Sequence, residues 1–483
     1  MKFKVIIPGE GERNLIAREG ETLLEALAEN GIYIRSDCGG AGRCKKCKAE
    51  LITPRGKESV SACETFPKEG ETYAVFPEQA MLKNENKAQS AKADECLLAI
   101  DIGTSTIALE LIDLSGNTLG GEVFNDPLRI YGADVISRVA ASSSGKSKEM
   151  QALLAETVAK KADELCSSVS AKPGSVIGAA VAANTVMTHI LLGYDCSGLG
   201  AYPFTPYSLD GVKTEFDSVF NGSGIKCPLY VFPCVSAFFG GDALSGIYSC
   251  GMAQSEEVSF FEDLGTNGEM AIGNSHGIIA SSVSAGPAFE GSSLSCGSGS
   301  VPGAVDSMYI IGEKVGCTTT AGAEPCGICA SGVIDAAVSL FRSGIIDRSG
   351  NLKDEYSESG FPVAPGVYVT QDDIRQIQQA KAAFKTGAEI LTKRFGKEIN
   401  GRVYVAGNFG KGINPANAMK LGILPETDCE TVQIGNSSLE GAKKYLVSGS
   451  EAEIEEIKKI ILKQDLPQDE EFNELYLKNI NFK

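Results

Sequence analysis

The chain opens on a period-two pattern. In KFKVIIP, Phe3, Val5 and Ile7 share one side and Lys2 and Lys4 the other, which predicts a half-buried strand. ETLLEALAENG (21–31) reads as a helix of about two turns closed by Gly31. KAELIT (48–53) and ETYAVFP (71–77, ending at Pro77) return to strand character. Strands around one helix predict a small mixed sheet. Residues 78–95 then lack any aromatic or β-branched residue, so this stretch is a linker or an exposed helix. The pattern restarts at CLLAIDIGTSTIALELIDLSGN: an apolar strand ending at Asp101, a turn at Gly103, a second strand, and a turn at 115–117. VIGAAVAANTVMTHILLG (176–193) is the longest apolar run. It is interrupted by Asn184, Thr185, Thr188 and His189, which suits a buried strand followed by a helix better than a membrane span.

One pattern occurs twice. VSFFEDLGTNGEMAIG (258–273) repeats the strand–turn–strand of 97–112, with Asp263, Gly265 and Thr266 matching Asp101, Gly103 and Thr104. Such an internal repeat suggests two related halves. The expected divisions are 1–78, a linker over 79–95, a first lobe over 96–258 and a second over 259–483.

Charge narrows the function classes. Lys and Arg number 44 against 62 Asp and Glu, a net charge of −18. A chain this acidic repels phosphate backbones, which argues against nucleic acid. The N-terminus is too short and too acidic for an export signal. The expectation is a soluble protein of the reducing cytoplasm, no membrane partner, and 15 cysteines serving as metal ligands or buried thiols.

Three of those cysteines crowd into DCGGAGRCKKC: Cys38, Cys44 and Cys47, spaced C-x5-C-x2-C, with Cys63 fifteen residues on. Four thiolates suit an iron–sulfur cluster. Gly39, Gly40 and Gly42 permit the positive φ angles of a loop that wraps closely round it. Structural zinc is the alternative, although it usually takes two C-x2-C pairs and only one is present in this loop. The spacing resembles [2Fe–2S] ferredoxins, one residue longer than the plant C-x4-C-x2-C form. Cys63 is the candidate fourth ligand and Cys96 the reserve.

The D-x-G-T hairpins carry the second chemistry. The glycine lets backbone approach a phosphate, and turn N–H groups and hydroxyls donate to its oxygens. The candidate phosphate holders are Gly103, Thr104, Ser105 and Thr106 in one hairpin and Gly265, Thr266, Asn267 and Gly268 in the other. Asp101 and Asp263, at strand ends, can place Mg²⁺ and the attacking water. GRVYVAGNFGKG (401–412) runs a buried strand into Gly407, Asn408, Phe409 and Gly410, where a flat ring can lie against backbone. Neither a P-loop nor a G-x-G-x-x-G after a strand is present.

Further residues have bland and functional readings. Glu269 and Glu290 are candidate catalytic carboxylates, or else local charge partners. Asp242 reads first as a helix N-cap. His189 reads as structural, and His276 as a turn residue without a partner. Cys326 and Cys329 form C-G-I-C and read as packing.

Taken in order, D-I-G-T-S-T, D-L-G-T-N-G-E and A-G-N-F-G look like the phosphate and adenosine motifs of the acetate kinase, sugar kinase, chaperone and actin ATPase fold. A ferredoxin ahead of that fold resembles the reductive activators of corrinoid proteins, and SAGPAFEG (284–291) and AANTVMTHILLG (182–193) add to the likeness. The resemblance implies a multidomain α/β and α+β architecture: a β-grasp ferredoxin-like domain, then a two-lobed actin-like ATPase with duplicated mixed-sheet halves. It implies a [2Fe–2S] cluster, ATP and Mg²⁺ as cofactors. Its partners would be a cobalamin-binding corrinoid protein and a low-potential donor such as a ferredoxin or flavodoxin, and a homodimer stays open. The implied activity is ATP-dependent reduction of Co(II) to Co(I) by one electron. Members of that family often carry a middle domain or a C-terminal cysteine-rich domain, and this chain is expected to have neither. Its tail after 450 is expected to be one charged helix and a short end. Two other functions remain in view: a small-molecule kinase with a redox-sensing cluster, and an electron carrier that senses ATP without hydrolysing it.

Overall fold

A computed structural model of the 483-residue chain describes residues 1–7, 11–30, 32, 34, 40, 42, 47–54, 56–75, 95–290, 293–312, 314–407 and 412–483, except for the side chains of Glu290 and Pro467. They fall into two compact units, Met1–Ala237 and Phe238–Lys483.

The first unit begins with β1 (Lys2–Ile7), β2 (Gly11–Ile16), α1 (Leu23–Glu29), β3 (Lys48–Thr53), β4 (Gly56–Ser61) and β5 (Thr72–Val75). The sheet order is β2-β1-β5-β3-β4, with β1 and β5 parallel and the other pairs antiparallel. This is the mixed β-grasp sheet of a ferredoxin-like domain. Helix α1 starts on a capping box, in which Thr22 accepts from the Glu25 N–H and Glu25 accepts from the Thr22 N–H. Its C-cap is Asn30, one residue before the expected Gly31, which lies outside the described residues. Leu23, Leu24 and Leu27 bury against Val5, Ile7, Tyr73 and Val75.

The same unit continues with β6 (Cys96–Ile102), β7 (Thr106–Ile112), β8 (Thr118–Asn125), α2 (Val135–Ala141), α3 (Ser147–Ser168), β9 (Val176–Ala183), α4 (Thr185–Leu192), β10 (Val212–Glu215), α5 (Phe216–Val219) and β11 (Pro228–Val231). The apolar run at 176–193 is strand then helix as expected. The chain turns at Asn184, whose side chain accepts from the Met187 N–H as the N-cap of α4.

The second unit contains α6 (Gly241–Cys250), β12 (Ser259–Leu264), β13 (Asn267–Asn274), β14 (Gly277–Ser284), β15 (Ala304–Ile311), β16 (Lys314–Thr319), β17 (Gly327–Ile328), α7 (Ala330–Arg342), β18 (Phe361–Ala364) and β19 (Val367–Val369). It ends with α8 (Gln371–Phe395), β20 (Arg402–Ala406), α9 (Pro415–Leu421), β21 (Glu430–Gly435), α10 (Ser437–Ser448), α11 (Glu451–Ile460), β22 (Ile461–Lys463) and α12 (Glu470–Asn479). The tail is therefore richer than the single charged helix expected: β22 adds a parallel strand to the sheet beside β14, and α12 packs on α8. Lys381 of α8, buried, donates from Nζ to the carbonyl oxygens of Asn479 and Asn481 at 2.5 and 2.8 Å. Those contacts join residues about a hundred positions apart, so no local pattern announces them.

The duplication is visible strand by strand. The first lobe's sheet runs β10-β11-β9-β6-β7-β8 and the second's runs β21-β20-β12-β13-β14-β22. In each, an antiparallel meander (β6-β7-β8; β12-β13-β14) is extended from its first strand by two parallel strands (β9, β11; β20, β21). Only the added edge strands, β10 and β22, differ. Because the D-x-G-T sequences join the first two strands of each meander, equivalent topology puts both at equivalent strand ends.

Candidate functional site

In the first hairpin, Gly103 N–H donates to the Thr106 carbonyl at 3.0 Å, and a Cβ on Gly103 would stand 2.9 Å from that oxygen. In the second, Gly265 N–H donates to the Asn267 carbonyl at 3.1 Å, and a Cβ there would stand 3.0 Å away. The turn needs glycine in both for the same steric reason. Strand pairing ends at Ile102–Ile107 in one and Leu264–Gly268 in the other, so the second turn is shorter by one residue. Gly268 is pinned from beneath, since a Cβ on it would meet the Phe384 ring of α8 at 2.3 Å.

Asp263 pairs in register with Glu269 across β12 and β13. Burial, and then the charges of Asp242 and Asp263, push the Glu269 carboxyl well above its usual range, while Ser282 Oγ donates to it at 3.1 Å. Asp242 is not the N-cap of α6; Gly240 holds that place and Asp242 sits in the first turn. Three carboxylates thus share one neighbourhood in the second unit, although among the described residues no His, Cys, Asp and Glu group forms a ready metal cage. Glu262, next to Asp263, turns to the opposite face of β12 and is fully buried beside Met270 and Val405 of the neighbouring strands. Burial raises its carboxyl far above the usual range.

Gly407 joins this neighbourhood. Its φ is +93°, and a Cβ on it would lie 2.5 Å from the Leu264 carbonyl oxygen and 3.0 Å from Asp263 Oδ1. Its N–H donates to the Gly435 carbonyl at 2.9 Å. Asn408, Phe409 and Gly410 lie outside the described residues, as does the Glu290 side chain. The backbone of Glu290 ends a short 3₁₀ turn, Pro287–Glu290.

Of the cluster cysteines, Cys38 and Cys44 lie outside the described residues. Cys47 is buried in the ferredoxin-like core, and its carbonyl accepts from the Ala62 N–H at 2.7 Å. Cys63 follows directly in the 3₁₀ turn Ala62–Glu64 and is partly exposed. Gly40 and Gly42 have φ of +83° and +72°. A Cβ on Gly40 would stand 3.8 Å from the Cβ of Cys63, so the glycine loop passes beside that cysteine. Of the four proposed thiolates the described residues include Cys47 and Cys63, and two glycines of positive φ with one of them beside Cys63 fit a loop that wraps closely round a cluster. Cys96 is differently placed, fully buried at the start of β6 in the first lobe. Burial raises the Cys96 thiol above its usual value and pushes the neighbouring Cys166 and Cys227 up to about 12, as befits core thiols.

His189 is structural. Its Nδ1 lies 2.7 Å from the Thr185 carbonyl and Nε2 accepts from the Tyr207 N–H at 3.0 Å, while burial lowers its pKa. His276 has a partner after all, Glu256 at 2.8 Å on the surface. Cys326 is exposed and Cys329 buried at the start of α7. Residues 76–94, which hold most of the expected linker, lie outside the described residues.

Sequence reading missed three residues. Arg138 of α2 donates from Nη2 to the Thr104 carbonyl at 2.6 Å and from Nη1 to Asp126 Oδ2 at 2.7 Å, both side chains fully buried. Asp126 N–H donates to the Ser105 carbonyl at 3.1 Å. Asn184 Nδ2 donates to Thr104 Oγ1 at 3.0 Å. The available signal was a lone arginine among apolar residues in DVISRVA and an asparagine at a strand-to-helix junction.

Three family profiles match successive stretches: a 2Fe-2S iron-sulfur cluster binding domain over 7–68, the RACo middle region over 96–255, and the C-terminal domain of RACo, the ASKHA domain, over 257–483. The middle-region match corrects the expectation that this chain has no such part. That match falls on the stretch expected as the first lobe, which carries the D-I-G-T-S-T hairpin. The chain is 29% identical over 418 residues to the corrinoid activation enzyme RamQ of Eubacterium limosum, covering 80% of this chain and 70% of that protein. It is 25% identical over 421 residues to a [Co(II) methylated amine-specific corrinoid protein] reductase of Methanosarcina barkeri, covering 80% and 76%. Among solved structures, a reductive activator for corrinoid, iron-sulfur protein superposes with a TM-score of 0.73 at 27% identity, covering 99% of this chain and 98% of that one. No described helix is long and apolar enough to cross a membrane.

Proposed function

The chain belongs to the reductive activators of corrinoid proteins, and from that premise we propose that it restores Co(I) in a corrinoid methyltransferase protein by an ATP-dependent, one-electron reduction of Co(II). The observation that carries the reading is a ferredoxin-like sheet with its glycine-and-cysteine loop on the same chain as a duplicated sheet bearing two D-x-G-T hairpins.

Cys38, Cys44, Cys47 and Cys63 would hold the cluster. When bound, a [2Fe–2S] cluster supplies a single low-potential electron, near −400 mV for the plant type. A target on the order of 100 mV lower lies uphill by about 2.3 kcal/mol, a factor of about fifty at equilibrium. ATP hydrolysis can close a gap of that size if it is coupled to complex formation or release.

On the nucleotide side, Thr104, Ser105, Thr106, Thr266 and Asn267 donate to phosphate oxygens, and the hairpin glycines Gly103, Gly265 and Gly268 let the backbone come close to them. Asp101 and Asp263 place Mg²⁺ and the attacking water. Glu269 and Glu290 are the further carboxylates of the site, and Gly407 to Gly410 receive the adenosine. Burial first, and then the charges of Asp242 and Asp263, raise the Glu269 carboxyl, and a cation placed among these carboxylates would offset both effects, which supports this assignment. A low-potential ferredoxin or flavodoxin of the cytoplasm supplies the electron.

The test is incubation of the reduced protein with a Co(II) corrinoid protein, with and without ATP, followed by visible absorbance. Co(I) forms only with both ATP and a low-potential donor. Equal Co(I) formation without ATP, or a phosphorylated metabolite in place of Co(I), overturns the reading.

A further inference from the structure

Equivalent carbonyls in the two hairpins are held in different ways. In the second hairpin the Thr266 carbonyl accepts two backbone N–H groups, Ala285 at 3.1 Å and Gly286 at 2.9 Å, from the chain just past β14. In the first hairpin the matching carbonyl, that of Thr104, accepts the Arg138 guanidinium at 2.6 Å. The chain just past β8 reaches the next carbonyl, Ser105, through the Asp126 N–H. A side chain from α2 therefore does in one lobe what backbone does in the other.

Four of the five N–H donors of the arginine have partners. Besides Thr104, Nε donates to the Gly132 carbonyl at 3.1 Å, and Nη1 donates to Asp126 Oδ2 at 2.7 Å and contacts Met187 Sδ at 3.0 Å. Asp126 is fixed in turn by the Leu128 N–H at 2.8 Å. Asn184, at the head of α4, holds the Thr104 hydroxyl. Four segments, β8, the Gly132 turn, α2 and α4, thus converge on Thr104 and Ser105. Removing a charged group this deep from water is unfavourable, and the planar fork joins acceptors on separate segments.

We propose that Arg138, backed by Asp126, is the positioning residue of the first phosphate hairpin, holding Thr104 and Ser105 so that their donors meet the nucleotide already aligned. This rests on the reading of the hairpins as phosphate sites. A flat guanidinium can serve Thr104, Gly132 and Asp126 together, whereas a lysine ammonium can balance Asp126 but cannot span all three acceptors.

Two variants test it, Arg138→Lys and the neutral, size-matched pair Arg138→Gln with Asp126→Asn. Each is compared with the wild-type protein by ATP turnover, by binding of a fluorescent ATP analogue, and by amide exchange of the peptide covering 100–108 in the nucleotide-free protein. The expected result is intact cluster absorbance and a cooperative melt, faster exchange at 103–106, and kcat lower by about tenfold or more with a smaller change in KM. A role confined to packing would lower the melting temperature and leave kcat and KM unchanged. Unchanged turnover and exchange in a folded variant overturns the proposal. So does collapse of both variants, which would assign the pair to the stability of the lobe. Absence of turnover in the wild-type protein would instead overturn the ATPase reading, and exchange and nucleotide binding would still decide the role of Arg138.

Discussion

Gly407 lies against Asp263, so close that a Cβ on the glycine would stand 3.0 Å from the carboxylate and 2.5 Å from the neighbouring Leu264 carbonyl oxygen. Residues 144 positions apart are brought together because β20 runs parallel to β12 with Ala406 opposite Asp263. Gly407→Ala places a side chain there and also strains a φ of +93°, which costs about 1–3 kcal/mol. Nucleotide affinity is expected to fall by about tenfold or more, with the cluster spectrum unchanged. Wild-type affinity in a titration with an ATP analogue would sink this account.

The hairpins themselves are tested by Asp101→Ala and Asp263→Ala. Each should lower ATP turnover by about 10²-fold, the effect of losing a group that orients the reacting atoms. Cluster absorbance serves as the control for folding. Unaltered hydrolysis in either variant would reduce that hairpin to a turn.

Cluster ligation separates two cysteines. Cys63 is partly exposed beside Gly40, whereas Cys96 is buried in another sheet. Cys63→Ser should lose or distort the cluster spectrum and Cys96→Ser should leave it intact. Anaerobically purified protein should yield iron and labile sulfide in equal amounts, about two of each per chain for a [2Fe–2S] centre. Zinc without labile sulfide would end the assignment.

His189 sets a pH dependence. Burial holds its folded pKa below the unfolded value of about 6.5. Above that value both states are neutral and the network with Thr185 and Tyr207 contributes in full. As pH falls below it, the unfolded chain takes up a proton that the folded one refuses, so stability declines, by at most about 1.4 kcal/mol per pH unit. Denaturation of wild-type protein and His189→Leu at pH 7.5 and 5.5 should show the steeper loss in the wild type. Parallel curves would remove His189 as the cause.

How much of this was legible in the chain itself depends on where each signal lives. The strand-turn-strand repeat, the cysteine loop and the strand-to-helix break at Asn184 are local. Period-two burial, a glycine needed by a close turn and an N-cap each act over a few residues, so the sequence determined a small mixed sheet ahead of two related halves, and the resemblance of its motifs supplied the ferredoxin-like and ATPase folds. Strands β2 and β4 were not legible. They are the two edges of their sheet and face solvent, with Leu15 the one fully buried side chain of β2 and none in β4. An edge strand needs no apolar face, because its partner supplies the hydrogen bonds. The same holds for β22 and α12, whose places come from pairing with β14 and packing on α8. The hold of Arg138 and Asn184 on Thr104, and the contact of Gly407 with Asp263, join residues 34 to 144 positions apart. Such contacts leave no period and no spacing in the chain; only folding brings a buried guanidinium to the Thr104 carbonyl.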